Sequence, residues 1–419
     1  MADCFVHASD LHLDLALGEL GWIPEETAKH LENLAKKAWH SLCDLTIEQE
    51  ATFLVLAGDI YHKGVGLVGT QQRFYQGLAE LVEKDIQVFI AHGNHDPLIG
   101  SPTFFRDPPN GVEVFPAEGP KTFPVKLRSG GFAHVSGMSF SSRKDLRNLA
   151  EFFHGLEIPP GPHVAVLHAN LDGDPDHDPY APCKKAHLEA ADVDYWALGH
   201  IHLRSDPPID LGPGRYAAYS GNNQGRTFKE SECHPKGALV VPIDGDQVGI
   251  PEFVECDEVR FVREVVKVDH EDSIGTVVAK IESSAATTGQ SAGHRPVVWR
   301  LELTGRFTDP SALRTELYAR DEDEYVLDDL PGLLNGGGLA ELIFNVDNYK
   351  TDDELDDFTR ATLDQLTGSP KRLLLLLKEL EADLHTSVKS VVELDDAEIE
   401  TIVRQAGELV RNKLGQPDA

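Results

Sequence analysis

Eight polar side chains follow or end short apolar runs, which is where α/β sheets usually present the residues that do chemistry. They combine carboxylates, imidazoles and one carboxamide, and include no thiolate: Asp10, His12, Asp59, Asn94, His95, His168, His200 and His202. Oxygen and imidazole nitrogen ligands suit Mn²⁺, Fe²⁺, Zn²⁺ or Mg²⁺, and a mixture of the two favours Mn²⁺. The residue types therefore predict a divalent metal centre.

The spacing within this set supports convergence on shared ions. Asp10 and His12 form a D-x-H pair, and His200 and His202 form an H-x-H pair. Alternate residues of an extended segment point to the same side, so each pair can face one ion. Asp59 follows Gly58 at the end of an apolar run, and a single carboxylate can bridge two ions roughly 3.5–4 Å apart. Each motif alone could be a turn, a cap or a buried histidine, but their joint order favours a metal site.

Strands and helices alternate through the first half of the chain. Apolar runs predict strands at 3–9, 52–58, 86–91, 163–167 and 195–198, and periodic leucines predict helices at 24–50, 70–84 and near 142–154. This alternation indicates a layered α/β domain. After about residue 257 the pattern suggests a small α+β domain with an acidic, glycine-rich loop at 321–338, and from residue 351 it suggests helices alone.

Composition restricts the function classes. The 419 residues include 70 Asp and Glu against 38 Lys and Arg, a net charge of -32, which argues against a broad basic surface for nucleic acid. Five cysteines without C-x-x-C spacing suggest reduced thiols. The first residues have no apolar signal region, and no apolar run reaches spanning length, so we expect a cytoplasmic protein without a membrane partner.

The motifs D-L-H, G-D, G-N-H-D, a lone histidine after a strand and G-H-I-H, in this order, resemble the calcineurin-like metallophosphoesterase superfamily. More narrowly, LAGDIYH, AHGNHDP, LHANLDG, LGHIH and YSGNNQGR resemble the SbcD/YhaO branch of DNA repair exonucleases. These motifs extend over roughly residues 5–226. Beyond residue 257 the resemblance is one of layout.

The resemblance implies an α/β fold with three parts. Residues 1–256 would be a two-sheet αββα catalytic domain, residues 257–350 a capping and DNA-binding domain, and residues 351–419 a helical segment able to dock an ATPase. It also implies a centre of two divalent ions, usually Mn²⁺. Asp10, His12 and His202 would bind the first ion, Asn94, His168 and His200 the second, and Asp59 both.

Further residues are expected to act beside the ions. His95 would be the general acid or transition-state stabiliser, Asp96 would orient it, and His62 would position the scissile strand. Asn222 and Arg226 could contact phosphate, or could belong to a connecting turn. The acidic loop 172–178 resembles a calcium loop but lacks its glycine and its final glutamate, so we interpret it as a solvated loop.

Three functions remain open from the sequence. The first is a metal-dependent DNA exonuclease, with possible endonuclease activity; the resemblance implies that it works in repair with an SMC-like coiled-coil ATPase of the SbcC/YhaN type, and as a homodimer. The second is a small-substrate phosphatase or cyclic-nucleotide phosphodiesterase with the same site. The third is a non-catalytic scaffold for DNA ends or the ATPase. No Walker A sequence is present, so this chain is not itself that ATPase.

Overall fold

The computed structural model describes residues 3–18, 20–62, 68–98, 107–173, 180–318, 327 and 330–349. The predicted C-terminal helices at 351–419 lie outside these residues, and so do residues 321–326, 328 and 329 of the predicted loop at 321–338. The strands are β1 Asp3–Ala8, β2 Phe53–Ala57, β3 Gln87–Ala91, β4 Val112–Val114, β5 Lys121–Lys126, β6 Phe132–Met138, β7 His163–His168, β8 Tyr195–Gly199, β9 Ile209–Gly212, β10 Arg215–Tyr219, β11 Gly237–Asp244, β12 Gln247–Val248, β13 Glu252–Glu255, β14 Arg260–Val268, β15 Val297–Phe307 and β16 Gly338–Asn348.

The helices are fewer and mostly short. They are α1 Glu25–Ala35, α2 Ala38–Glu48, α3 Val68–Glu83, α4 Lys185–Glu189, α5 Ile274–Ser291, α6 Pro310–Tyr318 and α7 Leu330–Leu333, with 3-10 turns at Leu149–Phe153 and Glu230–Glu232. No helix among the described residues has both the length and the apolar character needed to cross a bilayer.

Two sheets pack face to face. The first has the order β12-β11-β1-β2-β3-β4, with β13 also paired to β11, and the second has the order β5-β6-β7-β8-β10-β9. Aromatic and aliphatic side chains of both sheets, including Phe5, Phe89, Val166 and Tyr195, form the buried layer between them. On the outer faces, α2 and α3 cover the first sheet, and α4 with the 3-10 turn Leu149–Phe153 covers the second. This is the expected αββα arrangement.

The neighbouring strands β1, β2 and β3 are parallel, and so are β6, β7, β8 and β10. Their buried sequences read as continuous apolar runs because both faces of each sheet are covered. Parallel strands present their carboxyl ends at one edge, so the loops after β1, β2, β3, β7 and β8 meet there.

A third sheet, β14-β15-β16, follows in the chain and carries α5 as its crossover helix. Its residues Phe261, Val298 and Ala340 share a buried cluster with Ile23 and Phe228. The chain divides into two compact units. The first comprises Met1–Val268, Asp272–Gly305 and Ser311–Val346, and the second comprises Asp269–Glu271, Arg306–Pro310 and Asp347–Ala419. The predicted domain boundaries at 256 and 350 remain predictions.

Two helix predictions were wrong in detail. The predicted helix at 24–50 is two helices, because α1 ends at Ala35 and α2 starts at Ala38. The predicted helix near 142–154 is only the 3-10 turn Leu149–Phe153. There the side chain of Asp145 accepts hydrogen bonds from the backbone N–H and the guanidinium of Arg147, which competes with helical pairing.

Candidate metal centre

The loops that carry the predicted ligands are joined by backbone hydrogen bonds. The N–H of Asp10 donates to the carbonyl of Gly58 at 3.0 Å, and that of His12 donates to the carbonyl of Asp59 at 3.0 Å. From the second sheet, the N–H of His200 donates to both carboxylate oxygens of Asp10, at 3.2 and 3.1 Å. These bonds hold the ends of β1, β2 and β8 against one another.

The predicted ligand side chains lie together. Two groups have carboxylate oxygens and ring nitrogens within 4.8 Å of one another: Asp10, His12 and His202, and Asp10, Asp59 and His168. Oδ2 of Asp59 is 3.4 Å from Nε2 of His168 and 3.9 Å from Nε2 of His12. Asp59 thus approaches one imidazole from each of the two predicted ligand sets.

The remaining predicted ligands border the same space. Nε2 of His12 is 3.1 Å from Nε2 of His202, which in turn is 3.8 Å from Oδ1 of Asp10. Oδ1 of Asn94 is 3.0 Å from Nε2 of His168. The ring centroid of His200 is 5.1 Å from that of His168. The structure therefore brings all seven predicted side chains to one site between the sheets.

The hydrogen bonding of His168 shows that the site suits a cation. Its Nδ1 is 2.9 Å from the carbonyl oxygen of Ala57, which can only accept, so Nδ1 carries the proton. In the neutral ring, the lone pair of Nε2 then faces oxygens of Asn94 and Asp59, which are acceptors as well. Three electron-rich atoms with no proton between them fit a divalent ion.

The pKa shifts indicate the same preference for positive charge, which a proton on Nε2 of His168 satisfies when no metal ion is bound. Burial by itself lowers the pKa of His168, but the carboxylates of Asp59 and Asp10 outweigh it and raise that pKa to about 9. Burial would raise the pKa of Asp59, but His168 and His12 hold it far below its usual range. Both shifts have one cause, which is that the site stabilises positive charge beside an ionised carboxylate.

Backbone strain is concentrated at the predicted ligands. Asp10, His12, Asp59 and His200 have φ values of 52°, 42°, 54° and 104°. A side chain in this left-handed region costs on the order of 1–3 kcal/mol, and such residues cluster at functional sites. The surrounding hydrogen bonds and packing hold this conformation in the folded state.

Two glycines allow the close approach. A Cβ at Gly93 would lie 2.2 Å from Oδ1 of Asp59 and 2.8 Å from Nε2 of His168. A Cβ at Gly199 would lie 1.8 Å from the carbonyl oxygen of Ala57. Both glycines lie in motifs whose polar residues predicted the site. The sequence did not indicate that a side chain at either glycine would clash with the site.

His95 and His62 lie at the mouth of the site. Their rings stack with centroids 4.4 Å apart, and each ring is about 5 Å from that of His12. Nδ1 of His95 donates to the carbonyl of His62 at 3.0 Å, and the N–H of His95 donates to Oδ1 of Asp59 at 2.9 Å. The N–H of His62 donates to Oδ1 of Asp14 at 2.5 Å, a contact that the sequence analysis missed.

Asp96 does not bond the imidazole of His95 through any contact found in the structure. Its carboxylate accepts from the backbone N–H groups of Ile60 at 2.8 Å and Gly93 at 3.0 Å. Burial and the charge of Asp59 raise the pKa of Asp96 well above its usual range. Asp96 thus ties the loop after β2 to the loop after β3, which carries His95.

The predicted phosphate contacts of Arg226 and Asn222 require correction. Arg226 is 5% exposed, and its guanidinium donates to the carbonyls of Leu15 at 2.7 Å and Leu11 at 3.2 Å. Asn222 is 2% exposed, and its amide donates to the carbonyl of Gln224 and to Glu232. Both residues brace loops behind the site, because buried donors must find protein acceptors.

Glu232 is a second residue that the sequence analysis missed. Its Oε1 accepts a short hydrogen bond from Nδ1 of His202, and it is 6% exposed. It lies in a 3-10 turn with no metal-ligand spacing. The only available signal was its place shortly after the YSGNNQGR motif.

The chain is similar to several known proteins. Residues 5–204 match the family described as calcineurin-like phosphoesterase. The chain is 28% identical over 301 residues to the uncharacterized metallophosphoesterase YhaO of Bacillus subtilis, covering 72% of this chain and 71% of that protein. It is 26% identical over 323 residues to the DNA double-strand break repair protein Mre11 of Archaeoglobus fulgidus, covering 67% of this chain and 69% of that protein. A Methanococcus maripaludis protein of the same description is 23% identical over 256 residues, covering 58% of this chain and 63% of that protein.

Proposed function

We infer that this chain is a nuclease that cuts DNA phosphodiester bonds during repair. It carries a calcineurin-like metallophosphoesterase domain and is a hydrolase of phosphoester bonds. The observation that carries the inference is the convergence of Asp59 with His12 and His168, at 3.9 and 3.4 Å. Such a geometry suits two divalent ions that share one carboxylate.

In this proposal, Asp10, His12 and His202 would hold one ion, Asn94, His168 and His200 would hold the other, and Asp59 would serve both. When bound, the two ions supply an activated water for in-line attack and offset the charge that grows on the phosphoryl oxygens. We propose Mn²⁺, because the ligand set mixes imidazole nitrogens with carboxylate and amide oxygens.

His95 would serve the departing oxygen. Its Nδ1 donates to the carbonyl of His62, which leaves Nε2 as the ring nitrogen that can hold a proton for the leaving group or bond a phosphoryl oxygen. The stacked ring of His62 restricts how the His95 ring can turn, and it borders the space that the scissile strand would enter. Asp96 is a positioning residue, since it holds the loop between Gly93 and Asp96.

The names of the relatives support DNA as the substrate, because two of them are double-strand break repair proteins. The charge of -32 leaves little basic surface for the phosphate backbone. We therefore propose that an SMC-like coiled-coil ATPase supplies much of the DNA affinity, and that residues 257–350 cap the site. In the same proposal, residues 351–419 dock the ATPase and the chain acts as a homodimer.

The decisive experiment compares three substrates with Mn²⁺, with and without the ATPase: linear duplex DNA, bis-p-nitrophenyl phosphate and a cyclic nucleotide. We expect cleavage of the first two, and loss of at least about 10³-fold in Asp59→Asn, because the shared carboxylate is removed. Asp44→Asn, an exposed change on α2, should cut like the parent.

Each other outcome contradicts the proposal in a different way. Preference for the cyclic nucleotide would identify a small-substrate esterase. Binding of DNA ends without cleavage of any substrate would identify a scaffold. Equal rates for Asp59→Asn and the parent would contradict the metal centre itself.

A further inference from the structure

The imidazole of His202 has an anionic partner on the side away from the site. Nδ1 of His202 donates to Oε1 of Glu232, while Nε2 faces His12 at 3.1 Å and Asp10 at 3.8 Å. A carboxylate can only accept, so Nδ1 of the neutral ring holds the proton and Nε2 presents its lone pair to the site. Among the described contacts, His168 has a neutral carbonyl in the corresponding place.

Glu232 is itself held in place by two donors. Its Oε2 accepts from the N–H of Arg226 at 2.9 Å and from Nδ2 of Asn222 at 3.0 Å. The backbone of His202 is held from the same segment, since its carbonyl accepts from the N–H of Asn222 at 3.3 Å and from Nζ of Lys236 at 2.9 Å. These four donor groups belong to three residues, Asn222, Arg226 and Lys236, so the stretch from 222 to 236 forms one support for His202.

We propose that Glu232 is a positioning residue for the metal centre. It selects the His202 tautomer whose Nε2 can bind a metal ion, and it makes Nε2 a stronger electron-pair donor to that ion. The inference rests on the two-metal centre proposed above. Carboxylate partners of this kind orient ligand histidines, and removing one costs roughly 10–100-fold in metal affinity.

Glu232→Gln isolates this role, because glutamine keeps the volume and one acceptor oxygen. Placing that oxygen at the Oε2 position preserves the bonds from Arg226 and Asn222. The NH₂ group then faces Nδ1 of His202, which must accept, and the ring proton moves to Nε2, where the ion should bind. The reverse placement would point the glutamine NH₂ at the donor groups of Arg226 and Asn222. We therefore expect the amide oxygen to occupy the Oε2 position.

The experiment titrates metal-free protein with Mn²⁺ by isothermal calorimetry, without DNA, and measures thermal unfolding of the same samples. We expect Glu232→Gln to unfold near the parent temperature but to bind one of its two ions about 10–100-fold more weakly. Any cleavage lost by the variant should return in part at high Mn²⁺. Glu230→Gln removes an exposed carboxylate from the same turn and should bind like the parent.

Parent-like affinity for both ions in Glu232→Gln would overturn the inference. Equal weakening of both ions together with a large drop in unfolding temperature would also overturn it, since that result means a purely structural role. Glu232→Ala should differ from Glu232→Gln by being less stable, because it strands the donors of Arg226 and Asn222. Binding is measured without substrate, so a parent that holds two ions but leaves DNA uncut contradicts the nuclease function alone.

Discussion

His95 is half-buried at the mouth of the site; one of its ring nitrogens donates to the backbone, and the other has no hydrogen bond among the described contacts. It follows Asn94 directly, so its backbone is fixed by the same loop. Its N–H donates to Asp59. These contacts hold the backbone and Nδ1 of His95, and Nε2 is the ring nitrogen that the proposed chemistry would use.

Replacing His95 by alanine should therefore separate catalysis from metal binding. We expect kcat on bis-p-nitrophenyl phosphate to fall by about 10²–10⁴-fold, as for loss of a general acid, with two Mn²⁺ still bound. Steady-state kinetics and metal analysis of one preparation test this. His30→Ala, an exposed change on α1, is the control. Full activity in His95→Ala would remove His95 from the proposed chemistry.

Gly93 sets how closely the loop after β3 approaches the carboxylate of Asp59. Gly93→Ala should lose metal, because its Cβ would lie 2.2 Å from Oδ1 of Asp59. We expect at least about 10-fold weaker Mn²⁺ binding, comparable to loss of a residue that orients a ligand. Calorimetry measures it, and Gly119→Ala, where a Cβ meets nothing within 4 Å, serves as the control. Unchanged binding would mean that the loop moves without cost.

The strands position the predicted ligands. The start of β1 is held in place by hydrogen bonds to Asp3. The buried carboxylate of Asp3 accepts from the N–H groups of Arg128 and Ser129 and from the hydroxyls of Thr52 and Ser129, at 2.5–2.9 Å. Burial tends to raise the pKa of Asp3, but these bonds outweigh it and lower that pKa to about 2. The start of the strand that delivers Asp10 and His12 thus depends on an ionised group.

Asp3→Asn should destabilise the folded protein in a pH-dependent way. The pKa of Asp3 is lower in the folded than in the unfolded state, so its contribution is complete above about pH 5 and is lost as the pH falls towards 2. We expect a loss of about 2 kcal/mol at pH 7 that shrinks by pH 3. Urea unfolding in a chelator measures it, with the exposed Asp244→Asn as control. A pH-independent loss would contradict this origin.

Across the whole molecule, an excess of acidic residues opposes DNA binding. With a net charge of -32, the subunit should make few phosphate contacts on its own. We expect the logarithm of its affinity for linear duplex DNA to fall with the logarithm of salt with a slope no steeper than about -2, because few counterions are released. Fluorescence anisotropy titrations at about 50 to 200 mM salt measure this slope. A slope near -6 would reveal a basic track instead.

The polar site could be predicted because strand ends leave a local signature. The runs before Asp59 and His168 are continuous and apolar, and each stops at a turn or a polar residue. The helix boundaries were harder to predict, because nothing in the leucine spacing of residues 24–50 marks the break between Ala35 and Ala38. Local side-chain hydrogen bonds, such as that between Asp145 and Arg147, prevent a regular helix without altering the residue pattern that predicts one.

Residue type and order by themselves predicted the candidate ligand set, the preference for Mn²⁺ and the layered α/β architecture, because the chemistry of a ligand and the apolar run of a buried strand are both visible in the local sequence. Only the tertiary structure decided the supporting residues. Arg226 turned out to brace a loop, and Glu232 to hold His202, through contacts 211 and 30 residues apart in the chain. Hydrogen bonds over such separations depend on how the sheets pack, and no local pattern carries that information.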